Sequence, residues 1–380
     1  ASGPPTLSSK HIIRAIKAGA AGAVTKTITY DIMQQIQPKP RMYVINSEDM
    51  LKGRFYSFYS IDLMSELKPE AWVGEIRRAK EETKGKGVII ANIAGRTFDE
   101  WGKLTRLVNN AGADMIELNL SCPHIEEGEL MGRAATSDPK IVEQIVRTVK
   151  EESSIPVIGK LTLQGANPVN LAKVMVSAGV DVLVSTARFQ GLVIDVNEKR
   201  PVLWGGFGGY GGPWQVPISV GWTAHIAMEN LGTPIIGSGG ISSWEDAVRF
   251  MLVGASAVQM CTAVMMNGYE VIAKVVEGIK DWMKKNGFTS VKEFVGLSLE
   301  KIIPLDKLSR KKAYKVVVDL EKCTGCGICI RVCPYSAISL STSLEGKVEV
   351  DREACDNCGL CISVCPFKAL RLLDQSNLVR

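Results

Sequence analysis

Nowhere does this sequence string together the ~20 uncharged apolar residues that a membrane-spanning helix requires, so no such helix is expected. Its opening residues lack the charged and apolar regions of a signal peptide, and a cytoplasmic location is expected. A basic stripe is missing too: the net charge of +5 over 380 residues is spread through mixed-sign runs such as 75-EIRRAKEETKGK-86, which read as solvated helix faces rather than a nucleic-acid footprint. Dispersed cysteines are absent, since eight of the ten fall between Cys323 and Cys365 and only Cys122 and Cys261 lie elsewhere. That distribution excludes a disulfide scaffold and implies a reducing compartment. No dinucleotide fingerprint stands out either, because the Gly-rich stretch 205-GGFGGYGG-212 is not framed by a strand and a helix.

What is present is an ordinary globular composition, 46% hydrophobic and 22% charged, in a 41.2 kDa chain long enough for one large domain and one small one. Up to about residue 285, short β-branched apolar runs alternate with amphipathic stretches, the pattern of a parallel α/β fold. Strands are predicted over 22–27, 87–95, 115–123, 156–162, 181–187, 234–241 and 257–264. Helices are predicted over 8–18, 69–84, 98–111, 138–152, 168–178, 219–230, 243–253 and 268–286. Seven strands are one short of a (β/α)8 TIM barrel, and ASGPPT at the start reads as a loop that follows a strand. Either the first barrel strand is absent from this chain or it is supplied some other way. The expected organisation is a barrel over 1–286, a linker over 287–315 and a small α+β ferredoxin-like domain over 316–380. The basic run 307-KLSRKKAYK-315 reads as solvated surface, with a docking patch for an acidic electron carrier as the alternative.

The segment 323-CTGCGICIRVCP-334 recurs as 355-CDNCGLCISVCP-366, each a C-x2-C-x2-C-x3-C-P run. In the bacterial ferredoxin arrangement the first three cysteines of a run hold one [4Fe–4S] cluster and the fourth reaches across to the other. One cluster is therefore assigned to Cys323, Cys326, Cys329 and Cys365, and the second to Cys355, Cys358, Cys361 and Cys333. Zinc also uses C-x2-C pairs, but a third cysteine at the same spacing and a fourth followed by proline, twice over, favour iron–sulfur clusters. Such clusters move single electrons and do not themselves recognise an organic substrate, so the chemistry falls to the barrel.

Active sites of this architecture lie at the C-terminal ends of the strands, which here carry Lys26, Thr27, Asn119, Ser121, Cys122, Lys160, Thr186, Gly239, Gly240, Cys261 and Thr262. The SGGI stretch at 238–241 and the loop after 257-AVQMC-261 suit a phosphate, which points to a mononucleotide site. Taken in order, ASGPPT, VTKT, ELNLSCPH, GKLT, the paired glycines Gly211 and Gly212, GSGGI and VQMCTAV resemble the flavin barrel of dihydroorotate and dihydropyrimidine dehydrogenases. NLSCPH followed by a double cluster domain is closest to the dihydropyrimidine branch. The resemblance implies FMN, with Lys160 near its N1/C2 carbonyl edge. Lys26, Thr27, Asn119 and Thr186 would lie around the ring and ribityl chain, with Ala1 and Ser2 beside them. Gly211, Gly212, Gly239, Gly240, Cys261 and Thr262 would hold the phosphate end. It also implies that Cys122 exchanges a proton with carbon, which a thiol with a pKa near ~8.5 can do as acid or as base. His124 reads as loop structure.

Departures from the family concern the substrate. Where the family has asparagine-x-glutamate, this chain has 60-SID-62, so Ser60 and Asp62 stand in those places, and Ala187 and Arg188 replace asparagine and threonine after the sixth strand. Each lost amide leaves a pyrimidine group unmatched at a cost of about 1–3 kcal/mol, so a different substrate is expected. Arg188 at the pocket wall would suit a carboxylate or another anion, and the alternative is an outward-facing loop residue. Asn119 and Ser121 complete the expected substrate set. The aromatic, Gly-rich loop 188–212 reads as a lid, and Phe189, Trp204, Phe207 and Trp214 pack a flat conjugated substrate or brace the loop. The expected activity is reduction or formation of a C–C double bond beside a carbonyl, with electrons exchanged with a separate flavoprotein or ferredoxin-like carrier. The alternative is an electron-transfer subunit that has lost its own substrate.

Overall fold

The computed structural model describes residues 1–52, 56–120, 131, 135–203, 205–308 and 314–374. Among these, the chain divides into two compact units, Ala1–Ile302 and Ile303–Arg380. Residues 287–302, expected as the start of a linker, pack on the first unit: Phe294 is fully buried against Trp282 and Phe288, and the Gly296 and Ser298 amides donate to the Met251 and Leu252 carbonyls.

All seven predicted strands form. They are β1 (Gly22–Val24), β4 (Val88–Ile93), β5 (Met115–Leu118), β6 (Val157–Lys160), β7 (Val182–Val184), β12 (Ile235–Ser238) and β13 (Ala255–Gln259), hydrogen-bonded in chain order. Every pairing is parallel, with registers such as Gly22↔Val88, Ile116↔Val157 and Ile235↔Leu183. The result is a curled TIM-type sheet. The N-terminal segment bridges its two ends, since the Ala1 nitrogen donates to the Met260 carbonyl at 2.9 Å while the Lys26 amide donates to the Thr6 carbonyl at 3.1 Å.

Helices Pro69–Thr83, Phe98–Ala111, Pro139–Glu152, Pro168–Ala178, Val216–Met228, Trp244–Leu252 and Glu270–Asn286 follow the strands. Their boundaries follow local chemistry. Thr97, Asp138 and Asn167 accept amide hydrogen bonds at N-caps, Ser243 and Asp246 form a capping box, and Gly112 and Gly179 end helices in left-handed conformations. The helices cover the outward strand residues, where Ile89, Ala91, Ile116, Val157 and Leu183 join Trp72 and Trp101 in the main core. Val24, Ile90, Ile158 and Val184 form a separate apolar layer on the inner face. Because side chains two apart on a strand share a face, the next inward positions are Lys26, Asn92, Lys160 and Thr186. A polar layer therefore sits on the apolar one, towards the strands' C-terminal ends.

A second sheet has no counterpart among the predicted strands. β2 (Met42–Ile45), β3 (Ser57–Ser60), β8 (Phe189–Gly191) and β11 (Gly208–Gly211) pair in the order β2-β3-β11-β8, all antiparallel. β9 (Ile194–Asp195) and β10 (Arg200–Pro201) form a small ladder in the same stretch of chain. The glycine-rich end of the expected lid is thus an interior strand, paired on both sides. Its glycines are required by close packing: a Cβ at Gly208 would lie 2.6 Å from the Tyr59 ring. Trp214 stacks on Tyr210 at 4.7 Å and lies 5.4 Å from Phe189, which makes these aromatics a brace for the strand. Phe207 is exposed, and Trp204 lies outside the described residues.

In the second unit β14 (Tyr314–Val318) pairs with β17 (Leu370–Asp374), and β15 (Ile338–Leu340) with β16 (Val348–Val350), both antiparallel. The sequence repeat is also a structural repeat. Short helices Ile328–Val332 and Leu360–Val364 follow left-handed Gly327 and Gly359, and they end at Cys333 and Cys365 with nearly equal backbone angles. No helix among the described residues is long and apolar enough to cross a membrane.

Candidate active site

The polar layer of the first unit opens into a cavity of about 1060 Å³, mouth included. The N-terminal segment, the strand ends and the antiparallel sheet line it together. Of the residues expected at a nucleotide, Ala1, Ser2, Lys26, Thr27, Asn119, Lys160, Gly211, Gly212, Gly239, Gly240, Cys261 and Thr262 line it. Thr186 is not in the lining. Its buried hydroxyl turns into the wall, donating to the Ser238 carbonyl with the Ser219 hydroxyl 3.0 Å away. Ser60, Asp62, Asn119 and Arg188, expected at the substrate, all face the same cavity. Ser121, Cys122 and His124 lie outside the described residues.

Two of the cavity's cations, Lys26 and Lys160, face carboxylates, and Arg188, among the described residues, does not. Lys26 Nζ donates to Asp62 Oδ2 at 2.5 Å, and Arg41 Nε stands 3.4 Å from the other carboxylate oxygen. Burial pushes the Lys26 ammonium below the ordinary lysine range, and Asp62 works against that shift. Lys160 Nζ lies 3.3 Å from Glu117 Oε1 and 3.5 Å from Gln259 Oε1. Glu117 is 0% exposed and also accepts from Asn92 Nδ2 and Gln259 Nε2, both at 2.7 Å. Arg188 departs from this pattern, because its Nη1 donates to the neutral Ser60 hydroxyl at 2.5 Å.

Two glycine turns shape the opposite end. Gly239, Gly240 and Gly212 all have positive φ, of 111°, 83° and 131°. A Cβ on Gly240 would lie 2.5 Å from the Gly212 carbonyl, so the two turns meet in a space that only bare backbone allows. At the N-terminal segment a Cβ on Gly3 would lie 2.5 Å from Cys261 Sγ, which fixes how closely that segment lies to the loop after β13.

In the second unit Cys333 lines a small pocket together with Cys355, Cys358 and Cys361. Three of these come from one sequence run and the fourth from the other. Among the described residues no three metal-binding side chains converge on a single ion position.

Residues 2–283 match the family model described as dihydroorotate dehydrogenase, and residues 322–369 match a 4Fe-4S dicluster domain. The chain belongs to the dihydroorotate dehydrogenase family. It is an oxidoreductase of that family with an iron–sulfur domain following the barrel. Among curated proteins it is 33% identical over 327 residues to the NAD-dependent dihydropyrimidine dehydrogenase subunit PreA of Escherichia coli strain K12, a match covering 84% of this chain and 78% of that one. It is 34% identical over 302 residues to the catalytic subunit of dihydroorotate dehydrogenase B (NAD(+)) from Pyrococcus abyssi, covering 79% and 94%. For the Pyrococcus furiosus counterpart the figures are 35% over 298 residues, 78% and 93%.

Three polar residues that the dehydrogenase-family resemblance did not bring forward belong to the site, namely Asn92, Glu117 and Gln259. Strand periodicity carried the signal. Each lies two positions beyond an apolar residue of the same strand, Ile90, Met115 or Ala257, as Lys160 lies two beyond Ile158.

Proposed function

We propose that this chain binds FMN in the barrel cavity and reduces, or forms, a C–C double bond beside a carbonyl, exchanging electrons with a partner protein through two [4Fe–4S] clusters. The observation that carries this reading is one cavity with the Lys160–Glu117 network at its floor and facing glycine turns at one end. Those features fit a flavin nucleotide. The backbone of Gly212, Gly240, Cys261 and Thr262 suits a phosphate, and Lys160 offers a cation to the ring edge. The buried Asn92 Oδ1, without a hydrogen-bond partner among the described residues, leaves an acceptor for a ring N–H. FMN, when bound, supplies hydride exchange with carbon and single-electron exchange with the iron–sulfur clusters.

The chain's own residues would do the rest. Glu117 and Gln259 hold the Lys160 side chain in place, and Asn92 holds Glu117 in turn. Asn119 Nδ2, donating to Thr27 Oγ1 at 2.9 Å, is held at the cavity wall beside the reacting face. Cys122 would deliver or remove the proton at carbon. One cluster would be held by Cys355, Cys358, Cys361 and Cys333, and the other by Cys323, Cys326, Cys329 and Cys365. A separate flavoprotein or ferredoxin-like carrier is the proposed partner, supported by the word subunit in the names of the relatives.

The test is rapid mixing of anaerobic, photoreduced protein with conjugated carbonyl compounds and pyrimidines. Reoxidation by at least one acceptor, slowed 10²-fold or more in Cys122→Ser, is expected from the usual contribution of a general acid. Denaturation should release a yellow phosphorylated chromophore. Indifference to every organic acceptor in flavin-replete protein would favour a pure electron relay.

A further inference from the structure

Arg188 leaves the barrel just after β7 and runs back over β11, a path that β11 accommodates only because it is glycine there. A Cβ on Gly209 would lie 2.6 Å from Arg188 Cζ and 2.7 Å from Nη1, and one on Gly211 would lie 3.6 Å from Cγ. The guanidinium therefore lies against bare backbone, with its tip brought to the Ser60 hydroxyl on the neighbouring strand β3. This is a built position, drawn from three separate segments of chain. Its electrostatics are unlike those of the other cations in the cavity. Lys26 and Lys160 each face a carboxylate, whereas Arg188 has no carboxylate within ion-pair distance among the described residues. A guanidinium offers five N–H donors in a planar fork, and one of them is used here. A half-buried, uncompensated cation with donors to spare calls for an anion in the cavity.

Each of the four amides that line the cavity, Asn92, Asn119, Gln215 and Gln259, already donates a hydrogen bond within the protein. Asn92 and Gln259 donate to Glu117, and Gln215 donates to the Ala187 carbonyl and the Ser219 hydroxyl. We propose that Arg188, seated on Gly209 and steadied by Ser60, is the specificity-determining residue of this enzyme and takes the carboxylate of a planar, conjugated unsaturated acid. The assignment rests on the reading of the cavity as a flavin-dependent C–C oxidoreductase. It adds that the substrate is anionic and need carry no pyrimidine ring. A carboxylate suits the site better than a phosphate, since a planar fork matches a planar acceptor.

Calorimetry on the oxidised, full-length protein tests this with pairs that differ only in charge: cinnamate against cinnamamide and sorbate against sorbamide, with uracil and a phenylphosphonate alongside. The flavin content of the same preparation is read from its absorbance. The acids should bind more tightly than their amides. Arg188→Gln should weaken the acids on the order of 10- to 100-fold, the range for losing charged hydrogen bonds, and leave the amides unchanged. Arg188→Lys should fall between, because an ammonium keeps the charge and loses the fork. Gly209→Ala retains the arginine but occupies its seat, and it should reproduce the loss without replacing any cavity-lining residue.

Failure of either acid to bind, equal affinity for acid and amide, tighter binding of uracil or the phosphonate, or unchanged acid binding in both Arg188→Gln and Gly209→Ala would each overturn the clamp. Charge-blind binding in flavin-replete protein removes the clamp alone. Arg188-dependent acid binding to protein that holds no FMN removes the reductase reading and leaves the clamp standing.

Discussion

Glu117 carries a carboxylate with no solvent exposure, and three neighbours compensate it: the Asn92 and Gln259 amides at 2.7 Å and the Lys160 ammonium at 3.3 Å. Such a group is costly to bury and costlier to break. Replacing two partners by well-packed apolar residues is often neutral, but removing one leaves a buried charge alone. Glu117→Ala should therefore destabilise the barrel by about 3–5 kcal/mol. Urea denaturation checks this, as a lower midpoint at an unchanged slope. Lys26 obeys the same logic from the opposite sign, since burial disfavours its charged form and Asp62, itself shared with Arg41, works against that shift. The two lysines differ in what surrounds them. Lys160 rests on a carboxylate that two amides also hold, whereas Lys26 shares its carboxylate with a second cation.

Single elements supply few of the site's features, and most arise where two elements meet. The turn after β12 carries Gly239 and Gly240, the end of β11 carries Gly212, and neither turn forms a cradle without the other. Gly240→Ala places a methyl group 2.5 Å from the Gly212 carbonyl at a backbone angle that side chains rarely adopt. The cost falls on the turn rather than the core, which lies behind it. The expected outcome is a folded protein purified with less than about a tenth of the flavin of the parent, a ratio that corresponds to roughly 1.4 kcal/mol of lost binding. Absorbance of the purified protein and circular dichroism read the two quantities separately. β11 shows the same principle at strand level, because Gly208 admits the Tyr59 ring and Gly209 admits the Arg188 guanidinium.

For the whole molecule, two units with different tasks follow one another in the chain, and each has its own core. In the second unit the two cysteine runs are related by an internal repeat, yet Cys333 lines a pocket with Cys355, Cys358 and Cys361 of the other run. If that pocket holds a cluster, Cys333→Ser and Cys355→Ser should damage the same one. Each should lose up to about half of the roughly eight irons expected for two cubanes, with matching changes in the reduced electron paramagnetic resonance spectrum. The double variant Cys333→Ser/Cys355→Ser should be no worse than either alone, whereas Cys323→Ser/Cys355→Ser should lose both clusters. Additive losses for the first pair would show that the fourth cysteine serves its own run.

By itself the sequence determined the seven barrel strands, because short β-branched runs separated by capped helices are a local signal, and it determined the cluster domain, because ligand spacing is written along the chain. Lys26, Asn119, Lys160, Arg188 and the glycines of both turns were legible as strand-end or motif residues. Tertiary structure decided what depends on contacts between distant segments. The antiparallel sheet was invisible because Gly208–Gly211 has no strand propensity of its own and is held by β3 and β8 on either side. Tertiary structure likewise turned the Thr186 hydroxyl into the wall and drew Asn92, Glu117 and Gln259 into one network under Lys160. It also seated Arg188 on a strand whose missing side chains leave room for it. Periodicity says which face a residue occupies, but only the closed fold says what it meets there.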